Sequence, residues 1–251
     1  MSCVNIRGCR IGEGRPKVIL PIVERTEAAI LEKAAQFSTL PADCVEWRAD
    51  WFEGFQSPAA IAHCVQKLRV ALRDKLLLVT FRTKVEGGEQ ALSHPEYLAF
   101  LSLILDTDCA DLLDIEFFTA GADLPKLVEQ AHSAGVAVVC SSHDFAKTPP
   151  RAELVSRMVQ MQQAGADLPK LAVMPRCRTD VLELLAATAE MADLHPETPV
   201  ITMSMGALGA VSRLAGEAFG SAMTFANPGQ ASAPGQVSLN IVNDVLNALH
   251  L

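Results

Sequence analysis

Eight short runs of β-branched and other apolar residues recur along this chain of 251 residues. They occupy residues 17–23, 43–49, 76–82, 111–117, 136–142, 167–173, 199–205 and 222–226. Their starts are 23 to 35 residues apart, the length of a strand, a loop and a crossover helix, so they predict βα units in a parallel sheet. Eight such units in a chain of about 250 residues predict a closed (β/α)8 barrel rather than an open doubly wound sheet.

The segments between the runs have the spacing of helices packed on one face. Apolar residues recur there at intervals of three and four, most clearly in residues 28–37, 59–74, 95–107 and 152–165. The opening stretch VNIRGCRIGEGRPK alternates and contains Gly-x-Gly, so we expect a β-hairpin closing the barrel bottom. Because no low-complexity linker interrupts the pattern, we predict one domain over residues 1–251, with the hairpin in 1–16 and the barrel in 17–251.

Charge and cysteine usage exclude several classes of partner. The formal net charge is −8 and no basic run is present, which argues against nucleic-acid binding and favours a small-molecule partner. The seven cysteines are scattered without C-x-x-C spacing, so neither a disulfide framework nor a metal site is expected. With no apolar signal-peptide core and no run of about 18 apolar residues, we expect a cytoplasmic protein.

Charged residues stand inside several predicted strands, although strands buried on both faces should be nearly all apolar. They alternate, which places them on one face, and they cluster towards carboxyl ends, where such barrels build active sites. These residues are Glu46, Arg48, Asp50, Arg82, Asp114, Glu116 and Lys170. Any one of them could be half of a structural ion pair, but burying the whole set costs several kcal/mol per ion before pairing, which favours a functional site.

The octapeptide AGADLPKL occurs twice, at residues 120–127 and 164–171, with an offset of 44 residues that does not match the βα period. In the first copy Asp123 stands where a helix N-cap belongs, and Lys126 is expected on the surface of the first turn. The second copy is followed by AVMP, which extends an apolar run typical of a strand, so Lys170 is expected inside that strand.

A buried lysine at this end of a barrel suggests nucleophilic chemistry. We expect nearby arginines and burial to favour the neutral amine of Lys170, which can form a Schiff base with a carbonyl. His143 follows the fifth strand and has the side chain suited to proton transfer near neutrality. Glu86 follows the third strand beside two glycines and could orient that histidine. Considered without the other residues, it would be interpreted as a solvated carboxylate in a loop.

Two further segments could bind a polar ligand. The loop 231–240 after the eighth strand is either an ordinary connection or a closing lid in which Ser232 and Gln236 hydrogen-bond the ligand. Arg213 follows two glycines after the seventh strand, where it could clamp a carboxylate or phosphate, or simply cap a surface.

Separated motifs carry a resemblance that runs from about residue 17 to the end. They are EWR (46–48), TFR (80–82), EGGEQ (86–90), SHDF (142–145), LPKLAVMP (168–175), ITMSMG (201–206), SRLAGE (212–217), GSAMTF (220–225) and SAPGQ (232–236). In their order and spacing the chain resembles the type I 3-dehydroquinate dehydratases. The resemblance implies a cofactor-free lyase of the shikimate pathway of aromatic amino acid biosynthesis, usually a homodimer, that converts 3-dehydroquinate to 3-dehydroshikimate.

The same resemblance assigns roles. Lys170 would condense with the C3 ketone, and His143, oriented by Glu86, would remove the C2 proton and then protonate the departing C1 hydroxyl in a syn elimination. The substrate-binding residues would be Glu46, Arg48, Arg82, Arg213, Ser232 and Gln236, with Met203, Met205 and Phe225 as apolar walls. No metal is implied.

Two positions depart from the family pattern, and two rival functions remain. Pro21 replaces a frequent serine and Ser142 a frequent asparagine, so we expect altered affinity rather than lost activity. The rivals are another Schiff-base barrel, such as a sugar-phosphate aldolase, and a non-catalytic barrel that binds a polyhydroxy acid.

Overall fold

The computed structural model describes residues 2–228 and 235–250. Its strands are β1 (Val4–Ile6), β2 (Cys9–Ile11), β3 (Lys17–Ile22), β4 (Cys44–Arg48), β5 (Leu76–Thr80), β6 (Leu112–Glu116), β7 (Ala137–Asp144), β8 (Leu168–Val173), β9 (Ile201–Ser204), β10 (Met223–Asn227) and β11 (Val237–Ser238). Its helices are α1 (Glu27–Ser38), α2 (Pro58–Leu72), α3 (His94–Asp106), α4 (Phe117–Ala120), α5 (Leu124–Ser133), α6 (Arg151–Gln163), α7 (Arg178–Leu194), α8 (Ala210–Leu214), α9 (Gly216–Phe219) and α10 (Leu239–Ala248). Short 3-10 turns occupy Ala49–Trp51, Lys84–Glu86, Gly121–Asp123 and Ala207–Gly209.

Strands β3 to β10 form the parallel barrel. From β3 to β9 each strand pairs with the next in chain order, and β10 pairs with β3. The barrel closes between β9 and β10 through the parallel bridge of Val200 and Ser221. Beside this bridge, the Ala222 N–H donates to the Val200 carbonyl at 2.8 Å. The predicted (β/α)8 barrel is therefore confirmed, and each of the eight predicted strands is present with its ends shifted by at most two residues.

The lower interior of the barrel is apolar. Side chains near the strand beginnings pack together there, among them Cys44, Leu76, Leu112, Leu168 and Ile201. The antiparallel pair β1–β2 packs its Ile11 into the same cluster, so the N-terminal hairpin plugs this end as predicted. Because the bottom is closed by apolar contacts, the polar inward-facing residues are confined to the upper, carboxyl end.

Helices surround the barrel and bury one face each against it. Local capping fixes several of their starts: the Thr26 hydroxyl accepts from the Ala29 N–H of α1, and Ser57 does the same for Ala60 of α2. Asp123 does not act as the expected cap of α5, because its carboxylate contacts His94 Nε2 at 2.8 Å instead. Among the described residues, no helix combines the length and apolarity needed to cross a membrane.

The two copies of AGADLPKL adopt different structures, as the sequence predicted. The first spans the end of α4 and the start of α5, and its Lys126 is exposed. The second leads into β8, and its Lys170 is only 2% exposed inside the barrel.

Candidate active site

A cavity of about 270 Å³ opens at the carboxyl ends of the strands. Of the predicted site residues, those that line it are Glu46, Arg48, Arg82, Glu86, His143, Lys170, Met203, Met205, Arg213, Phe225 and Gln236. Ser232 lies outside the described residues, as do the other residues 231–234 of the predicted loop 231–240. Of the rest of that loop, Val237–Ser238 form strand β11 and helix α10 begins at Leu239. The sequence missed further lining residues, namely Trp51, Gly87, Glu89, Phe145 and Ala172.

Lys170 sits in a ring of four inward-facing side chains supplied by alternate strands. Its Nζ is 3.2 Å from Asp114 Oδ2 on β6 and 3.9 Å from Glu46 Oε1 on β4. The ring of Phe225 on β10 completes the layer, with its centroid 4.8 Å from Nζ. Layers of four from alternate strands are the normal filling of this barrel, usually with apolar residues. The expectation that arginines surround Lys170 was wrong, since its nearest charged partners are carboxylates.

His143 is held on the neighbouring strand by one carboxylate. Glu86 Oε2 accepts from the backbone N–H of His143 and lies 3.0 Å from its Nδ1. The turn that carries Glu86 needs its glycines: Gly87 has φ of +84°, and a Cβ on Gly88 would clash with the Arg82 carbonyl oxygen. The predicted orientation of the histidine by Glu86 thus has a direct geometric basis.

The electrostatics of this pair favour a neutral imidazole. Burial, together with the positive charges of Arg82 and Lys170, lowers the pKa of His143 well below its usual value. Burial raises the pKa of Glu86 to about 8, and the carboxylates of Glu116 and Asp114 add to that rise while Arg82 opposes it. A neutral imidazole can accept a proton, which is the state that a general base requires.

Arg82 is the central cation of the carboxyl-end network. Its Nη1 donates to Glu116 Oε1 and to Ser141 Oγ, both at 2.9 Å, and its Nη2 donates to Asp114 Oδ2 at 2.8 Å. Burial alone would lower the pKa of Arg82, but Asp114 and Glu116 outweigh it and raise the pKa. Arg82 is thereby paired with two buried carboxylates beneath the cavity.

Asp50 is a second buried hub, which the sequence placed on the charged face without assigning it to the site. Its two oxygens accept from Arg48 Nε and Nη2, each at 2.8 Å. They also accept from the backbone N–H groups of Arg82 at 3.3 Å and Glu89 at 3.1 Å. Asp50 therefore ties the predicted ligand contact Arg48 to the loop that bears Glu86.

Arg213 approaches the cavity from α8 and is 1% exposed. Its Nη1 contacts Met203 Sδ at 3.5 Å, and burial lowers its pKa to about 10. A desolvated guanidinium in a cavity wall is suited to bind an anion. The structure thus places Arg213 in the site rather than on the surface, the alternative that the sequence left open.

The two departures from the family pattern lie outside the cavity lining. Ser142 Oγ accepts from Arg157 Nη1 at 3.1 Å, so it faces the helix α6 side of the barrel. Pro21 pairs in register with Glu46 on the adjacent strand. Within the described residues, no side-chain hydrogen bond joins Ser142 to Lys170, His143 or Glu86, although Ser142 is the chain neighbour of His143.

The fold and the cavity together place the chain among (β/α)8-barrel enzymes that build their site at the carboxyl ends of the strands. A sequence model of type I 3-dehydroquinase matches residues 18–251. The 3-dehydroquinate dehydratase of Bacillus subtilis strain 168 is 46% identical over 250 residues, covering 100% of this chain and 98% of the relative. The chain belongs to the type I 3-dehydroquinase family.

Solved structures agree with this assignment. The type I 3-dehydroquinate dehydratase of Clostridium difficile, solved with covalently modified comenic acid, superposes with a TM-score of 0.96 at 43% identity over 99% of this chain and 98% of that one. The 3-dehydroquinate dehydratase of Enterococcus faecalis gives a TM-score of 0.93 at 41% identity, covering 99% of this chain and all of the other.

Proposed function

We propose that this protein dehydrates 3-dehydroquinate to 3-dehydroshikimate, a lyase step of the shikimate pathway, through a Schiff base on Lys170. The observation that carries the proposal is the buried Lys170 amine lining the same cavity as the histidine bound by Glu86. An amine, a neutral imidazole and an orienting carboxylate are the groups that imine-assisted elimination requires. The full-length similarity to named dehydratases supports this substrate over a sugar phosphate.

The chemistry follows from the positions of these groups. The Lys170 ammonium passes one proton to the His143 imidazole, and the amine so freed attacks the C3 ketone. The imidazolium returns that proton to the carbinolamine hydroxyl, which leaves as water, and the resulting iminium withdraws electrons from C2. The His143 imidazole takes the C2 proton, and the imidazolium so formed protonates the departing C1 hydroxyl. Glu86 at 3.0 Å from Nδ1 fixes the ring, leaving Nε2 to exchange protons with the substrate.

The cavity wall offers contacts for the remaining substrate groups. Arg213 and Gln236, with Ser232 from the loop outside the described residues, would bind the carboxylate and a hydroxyl. Glu46 and Arg48 would hold hydroxyls on the opposite side, and Met203, Met205 and Phe225 would pack against the ring. Both Nη atoms of Arg82 already donate to protein oxygens. We therefore propose that Arg82 contributes its positive charge to the site and does not form the main hydrogen bond to the substrate.

Assembly and location complete the proposal. We assign a homodimer and a cytoplasmic location, which the family resemblance and the seven dispersed cysteines support. Light scattering of the purified protein at several concentrations tests the dimer, and a monomer throughout would contradict it.

Borohydride trapping tests the covalent step directly. The protein is incubated with 3-dehydroquinate and sodium borohydride, digested, and analysed by mass spectrometry, while turnover is followed through the ultraviolet absorbance of the conjugated enone product. We expect a reduced adduct on the peptide that contains Lys170 and none on the peptide that contains Lys126. An adduct on Lys126, or none at all, would refute the assignment and favour a binding barrel; adducts only with sugar phosphates would favour an aldolase.

A further inference from the structure

Asp114 is the closest polar partner of the lysine in the barrel interior. Within residues 2–228 and 235–250, the contact of 3.2 Å to Asp114 Oδ2 is the one hydrogen bond that Lys170 Nζ makes. Glu46, the other carboxylate of the layer, lies farther away at 3.9 Å, and its Oε1 already accepts from the Thr80 hydroxyl at 2.9 Å. Any N–H that remains on Nζ during the reaction therefore has Asp114 as its nearest acceptor.

The reaction changes how many N–H groups the lysine nitrogen has. An ammonium carries three, whereas the iminium formed from it carries one, because the ammonium and the ketone give the iminium and one water with the positive charge conserved. The single remaining N–H lies in the plane of the C=N bond and its substituents. Whichever acceptor takes that hydrogen restricts the orientation of the whole imine plane.

We propose that Asp114 accepts the iminium N–H of Lys170 and thereby fixes the imine plane so that one C2 hydrogen faces His143. The inference rests on the proposed function, since it concerns the intermediate of that reaction. Asp114 acts through Lys170 and is a positioning residue for the elimination. Selection between the two C2 hydrogens is then a property of the barrel interior as well as of the substrate contacts at the mouth.

The carboxylate of Asp114 is itself rigidly held. Its side chain is fully buried, Oδ1 accepts from Ser141 Oγ at 2.6 Å, and Oδ2 accepts from Arg82 Nη2 at 2.8 Å. Burial raises the pKa of Asp114, but Arg82 and Lys170 outweigh it, so the pKa is lowered and the acceptor stays ionised. A side chain fixed at both oxygens can impose an orientation that a mobile one could not.

Glu116 provides a matched comparison two residues along the same strand. It is equally buried and also pairs with Arg82, but its other partners are Thr83 and Thr119 rather than Lys170. Asp114→Asn and Glu116→Gln each remove one buried negative charge from Arg82. Only the first changes the acceptor for the lysine nitrogen.

The experiment uses 3-dehydroquinate carrying deuterium at one defined C2 position, with kcat, KM and borohydride trapping measured in parallel. We expect wild type to retain or lose the label almost completely, and Glu116→Gln to keep that selectivity. Asp114→Asn should still give the Lys170 adduct with little change in KM, but kcat should fall roughly a hundredfold, as misorientation of reacting groups can produce. Its product should contain a mixture of labelled and unlabelled molecules.

Each outcome decides a different claim. No adduct in wild type would sink the proposed function, and this inference with it. A wild-type adduct, with Asp114→Asn keeping full selectivity and kcat within about twofold, would overturn the role of Asp114 alone. Should Asp114→Asn not fold, Ser141→Ala decides: it keeps the carboxylate but frees Oδ1, so partial loss of label selectivity supports the proposal and unchanged selectivity refutes it.

Discussion

Substitution of Glu86 should change the pH dependence of stability, because this carboxyl group is buried and hydrogen bonds satisfy only one of its two oxygens within the described residues. Its Oε2 accepts from the backbone N–H of His143 and lies 3.0 Å from Nδ1 of the same residue, whereas Oε1 is buried and has no hydrogen-bond partner within residues 2–228 and 235–250. Burial, with Glu116 and Asp114 nearby, raises the pKa of Glu86 to about 8 from its ordinary value of 4.5. We therefore expect Glu86→Gln to change how stability depends on pH.

The size of the effect follows from proton linkage. Between those two pKa values the native protein holds a proton on Glu86 that the unfolded chain has released, so the contribution of Glu86 to stability is fully present below the unfolded pKa. It is lost as the pH rises through the folded value. The slope is at most about 1.4 kcal/mol per pH unit and flattens as the pH approaches 8, so wild type should lose roughly 2 to 3 kcal/mol from pH 5.5 to 7.5 through this group.

Chemical denaturation at pH 5.5, 6.5 and 7.5 measures the free energy of unfolding of both proteins. His143, whose pKa is lowered, contributes in the opposite sense as pH falls below about 6.5, but it is present in both variants and largely cancels in the difference. Glu89→Gln is the control, since this carboxylate lies on the same loop at the surface, 3.5 Å from Arg25, and should keep the wild-type slope. Parallel curves for wild type and Glu86→Gln would refute the reasoning.

Three further predictions test the site. Lys170→Ala should abolish turnover and trapping, whereas Lys126→Ala, on the exposed copy of the repeat, should leave both unchanged; comparable activity of the two variants in the absorbance assay would contradict this. His143→Ala should cut kcat by roughly 10²- to 10⁴-fold while borohydride still traps an adduct, because the histidine acts mainly after imine formation; wild-type turnover would remove it from the mechanism. Asp50→Ala should lower the free energy of unfolding by about 3 to 5 kcal/mol and weaken substrate binding, because Arg48 and two backbone N–H groups lose their acceptor; a change below about 1 kcal/mol in denaturant titration would contradict that.

The barrel could be predicted from the sequence because its signal is local and repeated. Each strand is a short, largely apolar run, and several helix starts have their own capping residues, as Thr26 and Ser57 cap α1 and α2, so much of a βα unit is specified within it. Helix α5 shows the limit of such reasoning. Asp123 has the residue type and position of a cap, yet His94 on α3 binds its carboxylate. Competition from a distant partner cannot be read from a local pattern.

The site was predicted through its motifs more fully than through its charges. Within the described part of the chain, every site residue that the motifs named lines the cavity. Arg213 is one of them, although no local pattern indicates that it is buried. From the charges alone we expected arginines around Lys170, but its nearest charged partners in the structure are the carboxylates of Asp114 and Glu46. Alternation placed Asp50, Asp114 and Glu116 with other charges on one face without giving them partners, because it tells which face a side chain is on but not how high it stands in the barrel.

Height in the barrel is what separates Asp114 from Glu116. Both point inward from β6, but parallel strands in a closed barrel are staggered, so residues adjacent across the sheet are not those that meet in the interior. Ser141 is the register neighbour of Lys170 on β7, yet the lysine nitrogen meets Asp114, one strand farther away, because alternate strands fill each layer. The same stagger directs Glu116 to Thr83 and Thr119 nearer the mouth. Two carboxylates on one face of one strand therefore have different partners. Likewise, the lysine of the second octapeptide differs from that of the first because β8 places Lys170 at the level of Asp114 in the barrel interior.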